Sequence, residues 1–326
     1  MNLVWRIIVG LIIALVCLSP YPGPADMALP CLAGDKIGTD KQYCDLNFDC
    51  PLSLGQLRAL PPGEPFDWPT GGPLIGEARG LVRVKTPVLL MAYETLFDHA
   101  DVLAKLPTDA IGFLYLDNTG GNDDFIGTIK TLTGLKKLSA IGSDITDKGV
   151  AQLSVFKGIC DLRLGSSLIQ GKTLGELKTM TKLRRIGLND NQLRPQAFVE
   201  LGKLQSLEVL ELSRVAATDA EIMSLPILPK LYRLGLQHNS AITGRCLKHL
   251  AQFPSLLYLH LDDTSVRPMD LLVFKGTKLR AVEIDGTLAG AAELKKIRAL
   301  CPQISIKPIR FGAKPKVPTD LFAPLH

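Results

Sequence analysis

One spacing constrains this chain more than any other feature: apolar residues return at the same three positions about every 24 residues. The repeats begin at Ile111, Leu135, Ile159, Leu183, Leu207, Leu231, Leu256 and Leu279, in steps of 24, 24, 24, 24, 24, 25 and 23. Positions one, four and six are apolar in every repeat, from Ile111/Leu114/Leu116 through Leu207/Leu210/Leu212 to Leu279/Val282/Ile284. With 46% hydrophobic residues in the whole chain, composition alone would fill fewer than half of these 24 sites. Side chains two apart share a face of an extended strand, so positions four and six mark a strand. Later in each repeat the period becomes three, as in Val150/Leu153/Phe156, Phe198/Leu201/Leu204 and Leu294/Ile297/Leu300. That is one face of a helix or of a tighter helical turn. Each unit is too small to bury its own apolar side, and only stacking closes a continuous core. Helices are wider than the ~4.8 Å between strands, so the stack must curve with its strands inside.

The helix starts carry their own chemistry. Thr146-Asp147 and Thr218-Asp219 place a hydroxyl where it can accept a hydrogen bond from an unpaired amide. Thr218 to Glu221 and Thr173 to Glu176 read as reciprocal caps. Arg194-Pro195 and Arg267-Pro268 put proline in a first turn, where no amide hydrogen is needed. Pro226 and Pro229 predict a short or distorted helix after Leu207.

The pattern L-x-x-L-x-L-x-x-N/T/S-x-I/L over 111–302 resembles the leucine-rich-repeat family. The run Asp144-Ile145-Thr146-Asp147-Lys148-Gly149-Val150-Ala151-Gln152-Leu153 is similar to its ribonuclease-inhibitor-like subclass, known from exported bacterial proteins. The resemblance implies an α/β solenoid, a curved horseshoe with parallel strands on the concave face and helices on the convex face. It also implies binding of a macromolecule, and the family brings no shared catalytic residues. The family's asparagine position holds Thr119, Ser143, Ser167, Asn191, Val215, Asn239, Thr264 and Thr287. All but Val215 can hydrogen-bond buried loop backbone, so an interruption is expected at Val215.

The flanks divide the rest of the chain. Arg6 precedes twelve uncharged residues, Ile7 to Leu18, which as a helix would span about 18 Å, short of a ~30 Å hydrocarbon core. This fits a signal peptide over 1–25, cleaved after Gly23-Pro24-Ala25; an uncleaved anchor is the alternative. Residues 26–86, rich in Pro and Gly, read as a capping segment and 87–110 as a degenerate first repeat. Beyond the eight repeats of 111–302, residues 303–326 read as an edge strand and a flexible basic tail. Cys31, Cys44 and Cys50 cluster before the repeats, and export would permit one disulfide among them. They lack the fourth ligand and the histidine that a zinc site would want. A net charge of +5, from 37 basic and 32 acidic residues, is too small and dispersed to indicate nucleic acid.

Function should then lie on the concave strand face, at positions three, five, seven and eight. Candidate residues run from Phe113, Tyr115 and Asp117 through Lys137, Arg163, Arg185, Asn189, Asp190, Glu211 and Arg214. They continue with Arg233, Gln237, His238, Tyr258, His260, Asp262, Asp263, Glu283 and Asp285. The face reads as basic in the middle and acidic toward the C-terminus. Arginine and aromatic residues often dominate binding energy, so Arg233, His238, Tyr258 and His260, with Arg163 and Arg185, are the candidate binding residues. His238, His260, Asp262 and Asp263 suggest a metal site, but same-face neighbours lie ~7 Å apart and the set does not obviously converge. No metal or other cofactor is assigned. Ser166-Ser167 has no histidine at the matching position of an adjacent strand, so no nucleophile and base pair up. Glu211, pointing to solvent, is expected to matter little to stability, and Leu210, pointing inward, to matter much.

The sequence thus describes a non-catalytic, secreted, periplasmic or envelope-associated binding module, expected as a monomer. Its partner would be a protein or an envelope polymer, with membrane contact only through an uncleaved N-terminus. The alternative is a structural or inhibitory component of the cell envelope.

Overall fold

The computed structural model describes residues 43–60 and 72–309; the N-terminal apolar run, Cys31 and the basic tail lie outside the described residues. Strands β1 (Tyr43–Phe48) and β4 (Gly80–Lys85) pair as an antiparallel ribbon. The other twelve strands form one sheet. It starts with β2 (Gly55–Ala59), β3 (Leu74–Glu77) and β5 (Val88–Ala92), and continues with β6 (Ile111–Tyr115), β7 (Lys137–Ser139) and β8 (Asp161–Arg163). Next come β9 (Arg185–Gly187), β10 (Val209–Glu211) and β11 (Arg233–Gly235), then β12 (Tyr258–Leu261), β13 (Ala281–Asp285) and β14 (Ser305–Ile309).

From β5 to β14 every neighbour is parallel and consecutive in the chain. Position three forms one row: Phe113, Lys137, Asp161, Arg185, Val209, Arg233, Tyr258 and Ala281 stand side by side. The extra residue near Ala241 and the shorter step after it are absorbed without loss of register, since Arg233 pairs with Tyr258 and Tyr258 with Ala281. Between strands the chain returns through short helices, including Asp147–Leu153, Pro195–Leu201, Asp219–Ser224 and Ala291–Leu300. In four repeats the return holds a tighter three-residue-per-turn helix, at Ile129–Thr131, Leu174–Thr179, Gly244–Cys246 or Pro268–Phe274. All 24 apolar positions of the repeat are buried between the strand layer and this helical layer. The fold is a leucine-rich-repeat solenoid.

Two side-chain devices lock repeat to repeat. Buried Asn239 donates to the carbonyls of Leu212 and Leu236, both at 2.9 Å, and accepts from the amides of Val215 and Ala217. Asn191 similarly donates to Leu164 and Leu188 and accepts from the Ser167 amide. Thr119 and Thr264 donate to the carbonyl three residues back in their own loop, and the Thr264 hydroxyl also accepts from the Val266 amide. On the other side of the molecule, Asp123 accepts from the Thr146 amide and hydroxyl and from the Gly149 amide. Asp219 does the same for Thr243 one repeat on. Each aspartate opens its own helix and holds the start of the next one. A Cβ on Gly149 would lie 2.4 Å from Asp123 Oδ1, which is why glycine stands there.

Some local readings are corrected. Thr218 and Glu221 do form the reciprocal cap, but Thr173 does not; its hydroxyl is drawn away to the Asp147 carbonyl at 2.6 Å. Cys44 and Cys50 are free thiols and are not bonded to each other, and the expectation of one disulfide among Cys31, Cys44 and Cys50 extends to Cys31, which lies outside the described residues. Cys44 sits in the ribbon opposite Val84, while Cys50 is packed into the apolar core. The N-terminal segment also holds more order than a Pro/Gly-rich composition suggests. Leu46, Phe48, Leu54 and Leu57 are fully buried and join the core of the repeats, and β2 runs antiparallel against β5.

Candidate functional site: the strand face

Positions three and five supply the side chains of the strand face. The position-five row reads Tyr115, Ser139, Arg163, Gly187, Glu211, Gly235, His260 and Glu283. The two glycines make room. A Cβ on Gly235 would lie 2.1 Å from Glu211 Oε2, so the Glu211 carboxylate lies flat across β11. Arg163 passes over Gly187 in the same way, its Cγ 4.0 Å from where a Cβ would be. Glycines at a strand-face position were the signal for this lateral reach, and the apolar pattern alone does not use them.

The charges are interleaved, which corrects the graded face expected from the sequence. Asp161, fully buried, takes Arg163 at 3.4 Å. Arg185 meets Glu211 at 3.5 Å, and Glu211 also faces Arg233 at 3.8 Å. Arg233 Nε donates to His260 Nε2 at 3.3 Å, and His260 Nδ1 lies 2.6 Å from Glu283, which Lys307 approaches at 4.0 Å. A guanidinium nitrogen can only donate, so His260 Nε2 accepts and its Nδ1 hydrogen is directed at Glu283. That hydrogen bond holds the Glu283 carboxyl below the usual range, burial opposing it. Arg185, only 8% exposed, is a support for this row and not an open contact. Burial acts to lower its pKa while Asp161 and Glu211 act to raise it, and a guanidinium stays charged under such opposition. At the N-terminal end, Phe113 is buried with Lys137 Nζ 4.7 Å from its ring centroid.

Position eight is different. Asn118, Gly142, Ser166, Asp190, Arg214, His238 and Asp263 all occupy it, and all have positive φ, between 52° and 70°. The strand has ended here and the chain turns through the left-handed region, which Asn, Asp and Gly accept most readily. His238 therefore belongs to the turn, where its Nδ1 lies 2.9 Å from Asp263 Oδ2, and it is not part of the His260 row. Asp190 and Arg214 form a two-pronged ion pair along the same line. Sequence reading placed these residues on the strand face because it extended the strand parity two residues too far.

The expected interruption at Val215 has a visible form. Val215 is buried, Ala216 takes a second left-handed conformation at φ 56°, and Asn239 from the next repeat satisfies the loop amides. An open depression of about 360 Å³ lies beside it, lined by Arg214, Ala216, His238 and Asn239 among others.

Of the six candidate binding residues, Arg185, Arg233 and Tyr258 stand in the position-three row, with Val209 between the two arginines, and Arg163 and His260 stand in the position-five row. Arg163 lies two strands from Glu211, and His238 stands at the rim. Tyr258 pairs in register with Arg233 and packs edge-on against Tyr232, ring centroids 6.3 Å apart. Ser167, weighed above as a nucleophile, hydrogen-bonds Ser143 at 2.9 Å as part of the loop ladder.

No protein-family model matches the chain, and no curated protein matches it. Solved structures do match. One is an internalin from Listeria monocytogenes, with a TM-score of 0.40 and 19% identity over 56% of this chain and 50% of that chain. The match thus spans about half the length of the internalin. Among the described residues, no helix is long and apolar enough to cross a membrane.

Proposed function

We propose that the chain is an exported protein-binding module that engages its partner on the strand face, centred on Arg233 and Tyr258. The observation that carries this reading is the pairing of those two residues in register on β11 and β12, both half-buried, above an interleaved row of charges. A rigid aromatic ring beside a guanidinium fork is the kind of pair that anchors protein interfaces. Neighbouring charges preset the fork, so little side-chain freedom is lost on binding. A broad, interleaved face favours a protein surface over an envelope polymer, because charges of both signs can be matched at fixed spacing. Export rests on Arg6 and the apolar run behind it.

The test starts from a partner isolated from the envelope extract. R233A/Y258A should weaken its binding by at least ~2 kcal/mol, the scale of an interface hot spot, with unchanged circular dichroism. K178A/K248A on the helical side is the control and should leave affinity unchanged. Full affinity in the first variant with a large loss in the second would move the binding surface to the helices.

A further inference from the structure

We propose that His260, Asp262 and Glu283 form a binding site for a divalent transition-metal ion at the C-terminal end of the strand face. This goes beyond the protein-binding reading and does not depend on it. His260 and Asp262 project from the end of β12 and the residue after it, and Glu283 stands opposite His260 on β13. One ligand atom from each lies within 4.8 Å of the other two. In a tetrahedral site with bonds of ~2.0–2.1 Å, ligand atoms are ~3.3 Å apart, so a small inward movement of flexible side chains completes the shell.

The second observation is the state of Asp262. The residue is 5% exposed, yet among the described residues no group outside Asp262 hydrogen-bonds its carboxylate. A buried carboxylate without a hydrogen-bond donor from another residue is costly, and a cation relieves that cost. Two carboxylates and a neutral imidazole carry charge −2, which balances a divalent ion. One nitrogen and carboxylate oxygens without sulfur suit Zn²⁺ or Mn²⁺ over soft ions. The ion would take the place of the hydrogen now held between His260 Nδ1 and Glu283, the imidazole hydrogen moving to Nε2 so that the ring stays neutral and releases the Arg233 hydrogen bond. Arg233, which now donates to His260, keeps Glu211 as its other partner at 3.8 Å. Three protein ligands leave a coordination position for water, as at open zinc sites.

The reading of His238 changes accordingly. Sequence reasoning grouped it with His260, but it is turned onto Asp263 at the left-handed corner, and the third ligand comes from the next strand instead.

The experiment uses the full chain, stripped with a chelator and titrated with ZnCl2 in a calorimeter, with metal content measured after gel filtration. One ion per chain should bind with a micromolar or tighter Kd. D262N and E283Q should each weaken it by about tenfold or more, and H238Q should not. Both variants replace an acid with its isosteric amide, and circular dichroism checks that they remain folded. Cobalt loading separates this site from the free thiols Cys44 and Cys50, since thiolate ligands give an intense charge-transfer band and N/O ligands do not. Three results overturn the proposal: no saturable binding up to about 1 mM, undiminished affinity in both amide variants, or a thiolate band that accounts for the bound metal.

Discussion

Leu210 and Glu211 are adjacent in β10, and different forces act on them. Leu210 is fully buried in the repeat core, and its truncation to alanine should cost about 2–5 kcal/mol. By its outward direction, Glu211 would be worth less than about 0.5 kcal/mol. The structure revises that expectation. Its carboxylate is 16% exposed and lies between Arg185 and Arg233. Glu211→Ala leaves the largely buried Arg185 with Asp161 alone of the two anions that face it, at an expected cost of about 1–3 kcal/mol. Urea melts of the two variants measure both numbers, and a Glu211→Ala midpoint equal to that of the parent would show that the ion pairs stabilise nothing. The inward positions were legible because burial imposes a strict period on them. The outward ones were not, since any polar residue satisfies solvent and only neighbours one repeat away decide which charges meet. Gly187 and Gly235 carried part of that information as missing side chains.

Among the elements, the helices are held from both ends by chemistry of unequal legibility. Caps within a repeat, such as Thr218 with Glu221, lie three residues apart and can be read directly. The reach of Asp219 to Thr243 spans 24 residues and becomes visible only when repeats are stacked. Competition between the two explains Thr173, whose hydroxyl serves the Asp147 carbonyl and leaves its own helix uncapped. These contacts make a pH prediction. Burial acts to raise the Asp219 carboxyl, but the Thr243 hydroxyl and amide outweigh it and hold it below its ordinary range. Glu221 is held low by the Thr218 hydroxyl, burial opposing. A depressed folded-state pKa gives stability that is present above the unfolded value near ~4 and is lost as pH falls through the folded one. The urea midpoint should therefore drop as pH is lowered from about 5 to about 3. Asp219→Asn should be less stable than the parent at neutral pH and lose less on acidification. An identical pH slope in parent and variant would remove Asp219 from the account.

For the molecule as a whole, contacts between repeats connect only neighbours, so stability is expected to be a sum of local terms. Removing residues 183–206, one whole period, joins Lys182 to Leu207 in register, and the shortened chain should fold with the same type of circular dichroism spectrum. Removing only 183–194 throws every later strand half a period out and should abolish the cooperative transition. A stable half-period deletion would contradict the stacking argument. The period made this architecture readable from the chain alone. The turn at position eight was less so, because Ser166 and Arg214 give no warning that they adopt a left-handed conformation.

Among the described residues, the outermost repeat strand bears on how such an array is limited. In β14 the amide of Ser305 points inward to the Arg280 carbonyl and the carbonyl of Ile309 inward to Gly286, so residues 305, 307 and 309 face β13. By alternation, residues 306 and 308 face away. Residue 308 is proline, whose nitrogen bears no hydrogen, which leaves the amide of Ile306 as the sole outward donor of a five-residue strand. A second molecule seeking to continue the sheet would find one anchor where a template needs several. At the opposite end, β2 pairs antiparallel with β5 and the outermost strand β3 pairs antiparallel with β2, across a register shift between Leu57 and Arg58. Among the described residues, the array of interchangeable units is thus limited at β14 by a missing hydrogen.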